Sequence, residues 1–109
     1  MNEPPIDTSK PQLDFEWDPL KAASNLAKHQ VSFEEAATVF NDPLARTVYD
    51  QAHSQFEERW FTLGHSDQAR LLAVSHTYTA TGPNSVRIRI ISARLATRTE
   101  RQHYEQAPH

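Results

Sequence analysis

Apolar and acidic residues alternate at period two through Leu13-Asp14-Phe15-Glu16-Trp17, which predicts a half-buried strand. Asp18-Pro19 follows as an N-cap and a first-turn proline, so a helix is expected to start there. On that helix Leu20, Ala23, Leu26 and Ala27 are expected to form the buried stripe. Lys21, Asn25 and Lys28 then share a polar face, with His29 beside it. Ser32-Phe33-Glu34-Glu35 reads as a capping box: the serine oxygen faces the amide of Glu35, and the Glu35 carboxylate reaches back. It predicts a second helix running to Phe40 that buries Phe33, Ala36, Ala37 and Phe40, and Asn41-Asp42-Pro43 ends it.

Strand-like segments come next, at Ala45–Asp50, Glu58–Gly64, Leu71–Thr79 and Val86–Arg94, separated by turn residues. The short connections His65–Gln68 and Thr81–Asn84 favour hairpins in an antiparallel meander. From Thr97 the pattern becomes helical, with Thr97 or Thr99 as cap, and Ala107-Pro108 cannot continue it. The expected fold is α+β in the order βααββββα, an antiparallel sheet packed against the N-terminal helices. Residues 1–12, with Pro4, Pro5 and Pro11 among polar residues, read as a disordered leader; 13–106 read as a single domain and 107–109 as a frayed end.

With 109 residues, 38% of them hydrophobic, the chain has room for one core and no second domain. There is no cysteine, which excludes disulfides and thiolate metal sites and fits a reducing, cytoplasmic setting. The polar N-terminus does not read as a signal peptide, and no apolar run is long enough to span a membrane. Glycine occurs only at Gly64 and Gly82, so neither type of phosphate-cradling glycine loop is present, and no cofactor is expected. The six histidines show no metal-ligand spacing, and no metal is expected.

Charge is segregated along the chain. Residues 1–58 carry four lysines or arginines against eleven acids, whereas residues 59–109 carry seven arginines against three acids. A basic C-terminal half within a net charge of −3 points to a polyanionic partner, a nucleic acid or an acidic protein segment. Its densest part is Val86-Arg87-Ile88-Arg89-Ile90-Ile91-Ser92-Ala93-Arg94, where a β-branched strand carries guanidinium groups suited to phosphate. Arg87 and Arg89 share a face by strand parity, while Arg94 would project from the isoleucine side. A bulge between Ile91 and Ala93 is therefore expected to re-aim Arg94.

The run Phe15-Glu16-Trp17-Asp18, Lys21, Asn25, Lys28-His29, Val31–Ala36 and Phe40-Asn41-Asp42-Pro43 resembles the BrnT family of toxins. Glu58-Arg59, the strand ending at Gly64, Arg89–Arg94, Ala96-Thr97, Glu100-Arg101 and Tyr104 are similar to the family's closing block. The resemblance implies a compact RelE-like toxin that cleaves RNA and inhibits translation. It also implies a cognate BrnA-like antitoxin of the ribbon-helix-helix type, a homodimer within the complex, and operator DNA bound only through that complex. Where the family commonly has glycine after Lys-His, this chain has Gln30; a left-handed residue there costs about 1 kcal/mol without glycine.

Metal-independent RNA cleavage needs a base for the 2′-hydroxyl, cations for charge building on phosphorus, and an acid for the leaving oxygen. Weighted by the resemblance, Arg59, Arg89 and Arg94 are the phosphate and transition-state candidates, with solubility as their plain alternative. Lys28 and His29 are candidates for electrostatics and base, or else simply close the last turn of their helix. His76 and Tyr78 fall on the face of Leu72 and Val74 and are expected in the core, Tyr78 serving otherwise as a wall for base stacking. Glu100 and Tyr104, at i and i+4, complete the site or form a structural pair with Arg101. Lys21, Arg87, Arg98 and Arg101 are candidates for further RNA contacts. The competing reading is a non-catalytic module that binds nucleic acid or antitoxin and acts in transcriptional repression.

Overall fold

A computed structural model describes residues 11–106; most of the leader and residues 107–109 lie outside the described residues. The elements are β1 (Gln12–Glu16), α1 (Pro19–His29), α2 (Phe33–Ala37) continued by a 3₁₀ turn (Thr38–Asn41), β2 (Arg46–Tyr49), a 3₁₀ turn (Gln51–His53), β3 (Trp60–His65), β4 (Leu71–His76), β5 (Thr79–Gly82), β6 (Ser85–Leu95) and α3 (Arg98–Gln106). The fold is α+β, as expected, with two differences in its sheet. The segment Leu71–Thr79 is interrupted at Thr77 and Tyr78 and yields two strands, and β1, which takes in Gln12, lies parallel to β6. Alternation along a strand reports its two faces and not the direction of its neighbour, so the parallel pairing was invisible in the pattern.

The sheet runs β1-β6-β4-β3-β2, with β5 also paired to β6. On one face, α1 and α2 cover a core in which Val31, Phe33, Ala36 and Val39 meet Leu72, Val74, Ile88 and Ile90. Each fully buried side chain of this size stabilises the fold by about 1.5–3 kcal/mol. On the other face, Tyr104 of α3 closes a smaller cluster over Leu63, Leu71 and Ala73. Gly64 sits in a tight place: a Cβ there would stand 3.0 Å from the Val39 carbonyl oxygen and 3.2 Å from the Cβ atoms of Val39 and Ala45.

Both predicted N-caps form. Asp18 Oδ1 accepts from the amide of Leu20 at 2.8 Å, and Ser32 Oγ accepts from that of Glu35 at 3.0 Å. The Glu35 carboxylate does not reach back along the helix. It is buried and accepts from Arg70 and, at 2.7 Å, from the Ser66 hydroxyl; the Arg70 hydrogen bond holds its pKa below the usual carboxylate range against burial. The stripe expected on α1 is also out of phase: Leu20 is 81% and Leu26 50% exposed, while the expected polar residue Asn25 is buried. The Asn25 amide donates to the carbonyls of Val31 at 3.0 Å and Ala93 at 2.8 Å and accepts from the Ala93 amide at 3.1 Å. Pairing of β1 with β6 stops at Arg89, so Ala93 lies on an uncovered edge, and Asn25 supplies both hydrogen bonds a neighbouring strand would have made.

Candidate functional site

Register decides where the arginines of β6 point. Ser75 of β4 faces Ser92 but His76 faces Ile90, which leaves Ile91 as an extra residue, a bulge at the start of the expected interval. Burial follows the shift: Val86, Ile88 and Ile90 point into the helix-covered core, and after the bulge so does Ala93. Arg94 thus emerges on the open face with Arg87 and Arg89.

On that face, Arg94 and Arg59 line a shallow pocket of about 260 Å³ with Asp50, His53, Phe61 and Ser92. The Arg94 guanidinium lies 5.7 Å from the centre of the Phe61 ring and forms a two-pronged ion pair with Glu100, Nη1 to Oε1 at 2.7 Å and Nη2 to Oε2 at 3.0 Å. Glu100 also closes the cap of α3, its carboxylate accepting from the Thr97 amide at 2.8 Å while Thr97 Oγ1 accepts from the Glu100 amide at 3.1 Å. The Arg94 hydrogen bond holds the Glu100 pKa low, and Glu100 in turn raises that of Arg94.

Arg89 lies in an adjoining hollow of about 390 Å³ with Arg87, Glu16, Glu57 and Tyr78. Glu57 joins the two hollows, because its Oε1 is 2.5 Å from Arg89 Nη2 and 3.8 Å from Arg59 Nη2. Arg87 stands 3.8 Å from Glu16. The open face therefore carries a continuous arc of guanidinium groups, several of them held by carboxylates.

Other expected residues lie elsewhere. Lys28 and His29 sit in the last turn of α1, which belongs to the layer on the opposite face of the sheet, and the structure does not bring them to the arginine pocket. Lys21 is exposed on that same helix. Tyr104 is buried one helical turn beyond Glu100 and points away from Arg94: its hydroxyl donates to Asp42 Oδ2 at 2.6 Å and lies 3.1 Å from His65 Nδ1. Burial and the Asp42 carboxylate push its pKa up to about 12. Burial works against ionisation of Asp42 too, but the Tyr104 hydroxyl and the amides of His65 and Leu44 outweigh it and keep that carboxyl low. Arg98 is exposed on α3, and Arg101 stands 3.9 Å from Glu105, not against Glu100 as the structural alternative had it. His76 is buried in the core as expected. Tyr78 is not: the break after His76 turns it outward to 47% exposure, on the rim of the Arg89 hollow.

Sequence reasoning missed Asp50, His53 and Glu57. Asp50-Gln51-Ala52-His53 carried a usable signal, an acid and a histidine three apart just after a strand, and Glu57 is two residues from Arg59. The pocket's donors, guanidinium forks with a nearby imidazole, suit a phosphodiester.

The comparisons with known proteins agree with this architecture. The chain is similar over 80% of its length, and over 99% of that of the other chain, to the 1.1 Å crystal structure of the Brucella abortus ribonuclease toxin, BrnT, with a TM-score of 0.54 and 21% identity, a likeness of fold. No curated protein matches the chain. Residues 17–100 match the family described as the ribonuclease toxin, BrnT, of type II toxin-antitoxin systems, and the chain belongs to that family.

Proposed function

We propose that this protein is a metal-independent endoribonuclease toxin that binds and cuts RNA on the open face of its sheet. The observation carrying the reading is that Arg59 and Arg94, far apart in the chain, line one pocket, with Arg89 joined to them through Glu57. Guanidinium forks bind the non-bridging oxygens of a phosphodiester and stay charged throughout the reaction, so they offset the charge that builds on phosphorus during attack by the 2′-hydroxyl. Glu100 orients Arg94, whose side chain lines the pocket. Tyr78 on the rim and Arg87 beyond Arg89 extend the track for a strand. Lys28 and His29 lie on the opposite layer, and the Tyr104 hydroxyl is engaged by Asp42 and His65.

The toxin-antitoxin family supplies the biological frame. A cognate antitoxin of the BrnA type neutralises the toxin, and operator DNA is bound by the complex and not by this chain alone. The test is incubation of the purified protein with RNA in EDTA. Fragments ending in 2′,3′-cyclic phosphate, lost in Arg94→Ala, support the reading; intact, retarded RNA would make the protein a binding module.

A further inference from the structure

The loop between β2 and β3 places an imidazole and its carboxylate beside the two arginines. Asp50 follows β2 and caps the 3₁₀ turn Gln51–His53, accepting from the His53 amide at 3.3 Å through Oδ1. Its Oδ2 stands 3.0 Å from His53 Nδ1. The loop is also closed by its backbone: the Asp50 amide donates to the Arg59 carbonyl at 2.8 Å, and the Arg59 amide donates to Ser54 Oγ at 3.0 Å. His53 and Arg59 are thus held on one short, cross-braced loop, and both line the pocket that holds Arg94.

A carboxylate at Nδ1 keeps the proton of a neutral imidazole on that nitrogen and leaves the lone pair on Nε2. The His53 side chain is 69% exposed and lines the pocket. We propose that His53 is the general base of the RNA cleavage and that Asp50 is its positioning residue. The inference rests on the reading of the open face as the cleavage site. His53 Nε2 takes the proton of the 2′-hydroxyl, and the oxygen forms a bond to phosphorus. The bond from phosphorus to the 5′-oxygen breaks, its electron pair stays on that oxygen, and a proton from water completes the 5′-hydroxyl. The products are a 2′,3′-cyclic phosphate and a 5′-hydroxyl end. The charged groups nearest His53 are Asp50 on its own turn and, around the pocket, Arg59 and Arg94 with their partners Glu57 and Glu100.

The experiment measures kcat and KM for RNA cleavage in EDTA for the wild type, His53→Ala, His53→Gln and Asp50→Asn, with RNA affinity and melting temperature measured alongside. Asp50→Asn keeps an oxygen to cap the turn and removes only the charge. The expected result is a loss of about 10²–10⁴-fold in rate for both His53 variants, with affinity little changed. Added imidazole rescues His53→Ala, and Asp50→Asn lowers kcat while KM and melting temperature change little, which the loss of a merely structural cap would not do. Wild-type cleavage that persists in both His53 variants, or a kcat unchanged by Asp50→Asn, overturns the assignment and leaves the cleavage site standing. A wild type that does not cut RNA overturns the cleavage site itself, and this assignment with it.

Discussion

Arg94 and Glu100 grip each other through both prongs, at 2.7 and 3.0 Å, across the junction between the longest strand and the last helix. The pair fixes the rotamer of a long cation that would otherwise lose much of its freedom on meeting substrate. Arg94→Ala is expected to lower RNA cleavage by about 10²–10³-fold, the usual cost of one preorganised donor. Arg94→Lys keeps the charge but not the fork, so it should retain most RNA binding while cleaving poorly. Single-turnover rates and gel retardation on the same preparations separate these two effects.

Glu57 competes for the cations that a phosphate needs. It lies 2.5 Å from Arg89 and 3.8 Å from Arg59, in a half-exposed position where an ion pair contributes at most about 1 kcal/mol. Glu57→Gln should therefore bind RNA about 2–5-fold more tightly, that same energy expressed as affinity, and gain a steeper dependence on salt as more counterions are released. Titration at two ionic strengths checks both; unchanged affinity would place the RNA track elsewhere.

Much of this architecture was legible in the chain, and the exceptions share a cause. Both caps of the N-terminal helices, the last helix with its Thr97 cap, and the strands around Trp60, Leu71 and Ile88 follow from local chemistry that each segment carries by itself. The bulge, too, could be inferred from parity before it was located at Ile91. What escaped depends on contacts between distant segments. Asn25 is buried because strand β6 outruns its neighbour, Glu35 turns to Arg70, thirty-five positions away, and β1 runs parallel through a pairing no periodicity encodes. The site divides the same way. Arginines were recognised by residue type and strand parity, whereas the nearness of Asp50 and His53 to Arg94, and of Glu57 to Arg89, depends on how the loop folds back.

Asn25 offers the sharpest stability test. Asn25→Ala strips the Ala93 amide and the carbonyls of Ala93 and Val31 of a buried partner, and a buried polar group left unpaired costs about 1–3 kcal/mol. A total loss of about 3 kcal/mol is expected by urea denaturation, with the backbone at Ala93 loosened and the aim of Arg94 degraded along with it. Activity should then fall more than RNA affinity, since it depends on geometry as well as charge.

Gln30 ends α1 in the left-handed region, φ 55° and ψ 34°, with its carbonyl accepting from Arg70 at 3.0 Å. Glycine adopts that conformation without a Cβ clash but gains freedom in the unfolded chain, so Gln30→Gly should stabilise the protein by about 0.5–1 kcal/mol. Gln30→Ala, which keeps the Cβ, should not stabilise it. Thermal melts of the two variants side by side decide between backbone strain and the loss of the glutamine side chain.

His76 makes folding sensitive to mild acid. Its ring is wholly buried against Phe40, with Nδ1 2.9 Å from the Thr77 carbonyl and Nε2 2.7 Å from the Thr62 hydroxyl, a pairing that suits the neutral ring with its proton on Nδ1. Burial pushes its pKa below the ordinary 6.5, only partly opposed by the Thr77 carbonyl. The unfolded chain then binds more protons than the folded one as pH falls through 6.5, so stability drops from that point until the folded-state value is passed and this group's contribution levels off. Glu35, Asp42 and Glu100, all held below the usual carboxylate range, lose their stabilising ionisation at lower pH and add a later, separate decline. Urea unfolding of the wild type and of His76→Gln between about pH 5 and 8 isolates the histidine's share. The glutamine variant is expected to be less stable at neutral pH, because it fills the site less well, yet to show a flatter slope just below 6.5; an equal slope in both proteins would move the acid sensitivity to another group.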